Sequence, residues 1–277
     1  MKPELFFASL RSRKSGVFGT SLSQPQVDGI NGILKAFDEV GDGRRATLAY
    51  ALATAYWETG RRMIPVREGF ASTNEGAIRA VQRLANKRGP SSAVAKYVQP
   101  AGPYGHVYYG RGHPQLTWLD NYRNSSADAG VDLVKNPDAM LDPRISARVL
   151  IRGLIDGRWN GRGKGVGHYE MLDGLPGLSE IEAIAARRTV NVQDKAGLIA
   201  GIYRSFSAAL EAGGWPLDRP VHDVMPYYPD EPTSAPTRPA TPPRPPSAPQ
   251  RSASAPNGIL AALLSRLLRF LNIGGPA

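Results

Sequence analysis

Two acidic residues ten positions apart could carry chemistry in this chain: Glu58, in AYALATAYWETG, and Glu68, in IPVREGF. On a helical wheel Glu58 lies beside Ala51 and Ala55, at the edge of an apolar face and one turn from a helix end. A carboxyl there is partly desolvated, which raises its pKa and suits it to donate a proton. Arg61 and Arg62 act in the opposite sense. Glu68 follows in a loop. A pair of carboxylates is the minimum apparatus for cleaving a glycosidic bond: one protonates the leaving oxygen, the other activates water or attacks the sugar. Taken alone, Glu58 reads as readily as an ordinary helix-boundary residue, and spacing does not show that the two acids face each other.

The second stretch is Gly105 to Tyr122, GHVYYGRGHPQLTWLDNY. Gly110 and Gly112 flank Arg111, while Gln115, Thr117, Asn121 and Tyr122 offer small or planar hydrogen-bonding groups. Tyr108, Tyr109 and Trp118 are candidate aromatic platforms for a sugar. The alternative is a glycine-rich turn leading into the core. His106 and His113 find no third ligand, so no metal is expected, and no organic cofactor either. The stretch 161–167, GRGKGVG, lacks the strand and the Lys-Ser/Thr ending of a phosphate loop and reads as a flexible connection.

Positioning these groups falls to helices. Ser23 caps one, with Pro25 in its first turn and Val27, Ile30, Leu34 and Phe37 at helical spacing. A second begins after Gly43, carries Leu48, Leu52, Ala55 and Tyr56 on one face, and ends at Gly60. Residues 145–155 and 179–210 continue the helical pattern, the latter through Ile181, Ile184, Leu198, Ile202 and Phe206. Residues 100–122 read as loop with a short extended segment. The reading is one mainly helical domain over residues 1–229.

Composition bounds the rest. Of 277 residues, 42% are hydrophobic, enough for a real core. Cysteine is absent, which excludes disulfides, thiolate metal sites and cysteine nucleophiles. The net charge of +10 favours anionic partners. The charge is spread along the chain without a nucleic-acid motif, so no nucleic-acid partner is expected. The opening residues lack the apolar core of a secretory signal. From 230 to 256 the chain holds 9 prolines in 27 residues and no large apolar side chain, the composition of a semi-rigid linker. Residues 257–277 contain ILAALLSRLLRFLNI, whose four polar positions, Ser265, Arg266, Arg269 and Asn272, fall on one arc of a helical wheel. An amphipathic helix this apolar could lie in a membrane interface, dock on the main domain or self-associate.

The run Tyr108-Tyr109-Gly110-Arg111-Gly112-His113-Pro114-Gln115-Leu116-Thr117-Trp118, followed by Asn121-Tyr122, resembles the central motif of family-19 glycoside hydrolases. That family includes plant-type chitinases and lysozyme-like phage endolysins. Residues 53–60, ATAYWETG, are similar to the helix that bears the family's catalytic acid, with Trp57 where a His is common. Residues 185–191, AARRTVN, resemble its arginine-and-asparagine segment. The resemblance spans roughly residues 23–212. It implies a mainly α, lysozyme-like two-lobed α(+β) fold with a cleft, Glu58 as general acid and Glu68 as general base, with Glu75 the rival base. It also implies Thr117 as a holder of the attacking water, and substrate contacts from Tyr109, Arg111, Gln115, Trp118, Asn121 and Asn191. Family members invert at the anomeric carbon. The spacing of the two acids is nearer to endolysins, so the implied substrate is the β-1,4 glycan strand of peptidoglycan, cut as a muramidase cuts it. A chitinase acting on N-acetylglucosamine polymers is the alternative. A third reading is a non-catalytic glycan-binding or membrane-active protein whose activity resides in residues 257–277. For an endolysin, accumulation in the host cytoplasm and release through a separate membrane lesion are expected, with the cationic C-terminal segment acting on anionic outer-membrane lipid.

Overall fold

The computed structural model describes residues 1–15, 17–170, 177–191 and 193–218. The expected linker (230–256) and amphipathic helix (257–277) lie outside the described residues. Ten α-helices, four short 3-10 turns and one short antiparallel strand pair make up the regular structure described. In chain order the α-helices and strands are α1 Pro3–Leu10, α2 Gln24–Val40, α3 Arg45–Glu58, β1 Val66–Arg67, α4 Asn74–Arg88, α5 Ala93–Tyr97, β2 Arg111–Gly112, α6 Leu119–Ala129, α7 Pro143–Asp156, α8 Val166–Tyr169, α9 Glu180–Ala186 and α10 Ala196–Ala212. The fold is mostly helical, as expected.

The organising element is α3. Its sequence, RATLAYALATAYWE, puts Ala, Leu, Thr or Tyr on every side, and each residue from Ala46 to Tyr56 is buried. A helix without a polar stripe is stable only when surrounded. Helices α2, α7, α8 and α10 pack on it, and α1 packs against α10. The single apolar face read from Leu48, Leu52, Ala55 and Tyr56 understates this, because alanine is small enough for neighbours to pack closely on every side. Two α3 tyrosines find carbonyl partners in the core: Tyr50 Oη donates to Ala183 O at 3.1 Å, and Tyr56 Oη to Val17 O at 2.6 Å. Both bonds satisfy hydroxyls that would otherwise be costly to bury.

Helix α2 starts where expected, at the Ser23 cap. Gln26 Oε1 accepts from the Ser23 backbone N–H at 2.9 Å, and Gln26 Nε2 donates to Arg61 O at 2.9 Å. The cap thus also fastens the turn that follows α3. The pattern over 179–210 is broken rather than continuous: α9 stops at Ala186, a 3-10 turn covers Arg187–Thr189, and α10 begins at Ala196. Ile181 and Leu198, counted on the apolar face, are 77% and 57% exposed.

A smaller region, residues 66–141, carries its own apolar clusters. One joins Ala77, Val81 and Ala85 of α4 to Val94, Val98, Val107 and Tyr109; another joins Tyr108, Leu116 and Tyr122 to Leu133 and Met140 and extends to Val149 of α7 outside the region. Strands β1 and β2 pair Val66 with Gly112 and Arg67 with Arg111. His113 pins this region to the helical body. Its Nε2 contacts Met63 O at 3.1 Å, its Nδ1 contacts Ser146 Oγ at 3.0 Å, and its backbone N–H donates to the same Oγ at 2.7 Å. Burial lowers the His113 pKa to about 4, so the ring is neutral. Carbonyl acceptance from Nε2–H then leaves Nδ1 to accept the Ser146 hydroxyl.

Candidate active site

Glu58 is the last residue of α3, and the chain turns sharply beyond it. Thr59 Oγ1 donates to Ala55 O at 2.6 Å and accepts from Met63 N at 2.9 Å, while Arg61 and Met63 take positive φ values of 70° and 60°. The break between α9 and α10 delivers the partner. Arg187, 1% exposed, donates from Nη2 to Glu58 Oε1 at 2.7 Å and from Nε to Asp194 O at 3.2 Å. Burial pushes the Glu58 carboxyl above the ordinary range; the Arg187 charge and hydrogen bond pull it back, and Asp194 adds to the rise. Burial wins, and the net shift is upward, the direction a proton donor needs.

Glu68 sits in the turn after β1 and is held by neutral groups. Its backbone N–H donates to Gly110 O at 2.8 Å. Its Oε2 accepts from Gly110 N at 2.9 Å, and its Oε1 from the Tyr97 hydroxyl at 2.7 Å. Burial, followed by the Glu68 charge, pushes the Tyr97 phenol upward, so Tyr97 stays a donor. A side chain at position 110 would crowd the site: a Cβ there would lie 2.8 Å from Gln115 Oε1 and 3.3 Å from Glu68 Oε2, so Gln115 would have to shift. Two of the four lone-pair sites of the carboxylate are thereby used, and two remain for a water molecule.

Both carboxylates line one cleft of about 430 Å³, together with Gln115, Thr117, Trp118, Asn121 and Asn191. Gln115 and Trp118 hold positive φ values of 51° and 79°. Conformations of this kind cost about 1–3 kcal/mol each and persist where surroundings over-determine them. Here the determinants are the paired bonds between Arg111 and Leu116 (3.1 and 2.9 Å) and the bond from Trp118 N to Tyr108 O at 2.9 Å. The result presents Trp118, 39% exposed, with its ring edge-to-face against Tyr97 at 5.3 Å. Gln115 Nε2 donates to Val66 O and Gly112 O at 3.0 and 3.1 Å, leaving its Oε1 toward Gly110. The Thr117 hydroxyl donates to Gln115 O at 2.9 Å, so its oxygen can still accept a hydrogen bond from water. Asn121 Nδ2 donates to Thr117 O at 2.8 Å.

Two expected substrate contacts are not in this cleft. Tyr109 is fully buried, and its hydroxyl donates to Asn74 Oδ1. Arg111 stacks on the Tyr109 ring at 3.6 Å, donates from Nε to Asp138 Oδ1 at 2.8 Å, and reaches Val107 O and Tyr122 Oη at 3.1 Å each. Asp138 also accepts from Arg67 Nη2 at 2.9 Å. A guanidinium this far from water needs a counter-charge and filled hydrogen bonds; Asp138 and its neighbours supply both, and the pair ties β2 to the 3-10 turn Pro137–Leu141. Glu75 lies exposed in the first turn of α4 and does not line the cleft. Sequence reading did not single out Tyr97, Arg88, Trp159 and Asn160, which line the cleft. Nothing in their local sequence marks them. Arg187 did fall in the 185–191 segment, but its bond to Glu58 exists only once α9 and α10 separate.

No protein-family profile matches the chain. Among solved structures it is similar to chitinase C from Streptomyces griseus HUT6037, at 18% identity over 77% of this chain and 94% of that one, with a TM-score of 0.42. A mutant of chitinase C gives 18%, the same coverage and 0.41. A bacterial family 19 chitinase gives 19% identity over 76% and 98%, with 0.43. At such identities and scores, the chemistry of the site rests on its own geometry.

Proposed function

We propose that the chain is a glycoside hydrolase that cleaves the β-1,4 glycan strand of peptidoglycan by a two-carboxylate, inverting reaction. One observation carries the reading: Glu58 and Glu68 line the same cleft in unlike environments, one half-buried against a buried arginine and pushed toward its protonated form, the other held by two neutral donors. Protonated Glu58 gives its proton to the glycosidic oxygen as the bond from that oxygen to the anomeric carbon breaks. A water molecule attacks the anomeric carbon from the opposite face and yields a proton to the Glu68 carboxylate. The Thr117 oxygen helps hold that water. Solvent then returns Glu58 to its acid form and Glu68 to its base form. An inverting pair leaves room for the water, at a carboxyl separation of about 6.5–9.5 Å. Gln115, Asn121 and Asn191 supply hydrogen bonds to the N-acetyl sugars, and Trp118 a stacking face. The cationic, apolar segment 257–277 assists by acting on anionic outer-membrane lipid.

Mass spectrometry of products from purified peptidoglycan, and separately from chitin oligosaccharides, tests this. Fragments with reducing N-acetylmuramic acid are expected. Cleavage of chitin oligosaccharides alone would move the activity to a chitinase, the polymer named for the similar structures. Absence of fragments from both would sink the hydrolase reading.

A further inference from the structure

The ionisable groups lining the cleft, among the described residues, are the two carboxylates, the Tyr97 phenol and one cation, Arg88. Arg88 is the last residue of α4, exposed, and makes no ion pair among the described residues. It stands on the Glu68 wall with Ala93, Val94 and Tyr97, close enough that its charge acts on the Tyr97 phenol. Of the other arginines flanking the cleft, Arg187 pairs with Glu58 and Arg158 with Asp128 and Asp156, while Arg61, Arg62 and Arg188 do not line it.

We infer that Arg88 is a specificity residue that pairs with a carboxylate carried by the glycan, selecting an acidic, lactyl-peptide-bearing strand over a neutral one. The inference rests on the hydrolase reading above and adds the group that distinguishes its substrates. A neutral N-acetylglucosamine polymer offers an arginine nothing beyond hydroxyl and amide groups, which the cleft already meets with Gln115, Asn121 and Asn191. A strand whose every second sugar bears a lactyl-peptide arm brings carboxylates alongside the reacting bond. A guanidinium on the wall binds such a group with paired hydrogen bonds as well as charge. A second role for Arg88 is electrostatic support of its own helix, since a cation in a last turn stabilises the helix C-terminus. Lys87 occupies the same last turn without lining the cleft, and so separates the two roles.

Hydrolysis kinetics should be compared for the full chain, Arg88→Gln and Lys87→Gln. The substrates are soluble peptidoglycan strands before and after amidation of their carboxylates. Arg88→Gln is expected to raise KM on the native strands by about fivefold with kcat retained, the scale of one exposed ion pair. On amidated strands, wild type and Arg88→Gln should coincide, and Lys87→Gln should change neither substrate. An equal loss on both substrates, no change on native strands, or the same effect from Lys87→Gln would overturn the role of Arg88 while leaving the hydrolase reading intact. Failure of the wild-type chain on both strands would instead remove the reading of peptidoglycan as substrate, and this inference with it.

Discussion

Glu58 and Glu68 line one cleft from walls built on different principles. Among the described residues, Glu58 ends the most deeply buried helix, and its partner is a buried cation from a distant break between helices. Glu68 sits in a turn beside a two-residue strand pair, and its partners are a phenol and a backbone amide. The first environment penalises charge and then partly compensates it; the second spends no counter-charge and leaves oxygen lone pairs open. Two carboxyl groups with unlike surroundings can divide acid and base work between them. The same contrast appears between Glu58–Arg187 and Arg111–Asp138. The latter pair is at least as well hydrogen-bonded but lies outside the cleft, so its task is to hold the wall together.

The comparison can be broken most directly at Glu58. Replacing it with Gln should cut the release of reducing ends by about a thousandfold or more, with circular dichroism and melting unchanged in form, because the proton donor is gone. Retention of the wild-type rate would reassign the acid. Next in size, Arg187→Gln should lower kcat by about a hundredfold by freeing the Glu58 side chain. It should also move the basic limb of the pH–rate profile to higher pH. The sign follows from the cited shift: Arg187 pulls the Glu58 pKa down against burial, so its removal lets the pKa climb, and the acid stays protonated further up the pH scale. A limb that stays in place would detach Arg187 from the proton donor.

Tyr97→Phe removes one neutral donor from Glu68 and should reduce kcat by about tenfold, with stability changed by about 1 kcal/mol. An unchanged kcat would mean that the Gly110 amide alone fixes the base. The smallest effect is expected at Asp138, away from the cleft. Asp138→Asn should leave kcat and KM alone and cost about 1–2 kcal/mol of stability at neutral pH. Although burial raises the Asp138 pKa, hydrogen bonds and charge from Arg67, Arg111 and Asn74 outweigh it, and the net shift is downward from 3.8. Its contribution is therefore present above that ordinary value and lost as pH falls through the lower, folded one. Denaturant melts of the two proteins should accordingly converge in acid, and a gap that persists there would deny the ion pair its role.

How far the sequence could be read varies by element. Helix α2 was legible because its Ser23 cap, Pro25 and spaced apolar residues are local signals. Helix α3 was legible as a helix but not as the centre, since burial on every side depends on what surrounds it. Helices α4 and α6 were not singled out: their apolar positions are few, and each borrows its core from residues far along the chain, such as Tyr109 for α4 and Val149 for α6. Within the site, Gln115, Thr117, Trp118 and Asn121 all line the cleft, whereas Tyr109 and Arg111, from the same run, turn away. Residue type cannot separate these outcomes. A Tyr and an Arg serve equally well against a sugar or inside a wall, and only the presence of Asn74 and Asp138 opposite them decides.

What the residues determined by themselves was therefore the inventory and its local geometry. It includes a cysteine-free helical chain, helix starts and stops, and two acids near a run of small hydrogen-bonding groups. These follow from short-range sterics and hydrogen bonding, which act within a few residues. The tertiary structure decided which groups meet. It brought Arg187 to Glu58 across 129 positions, Tyr97 to Glu68 across 29, and set Arg88 on the wall of the same cleft. Such encounters arise from the packing of whole helices around α3, a property that no local window of the chain contains.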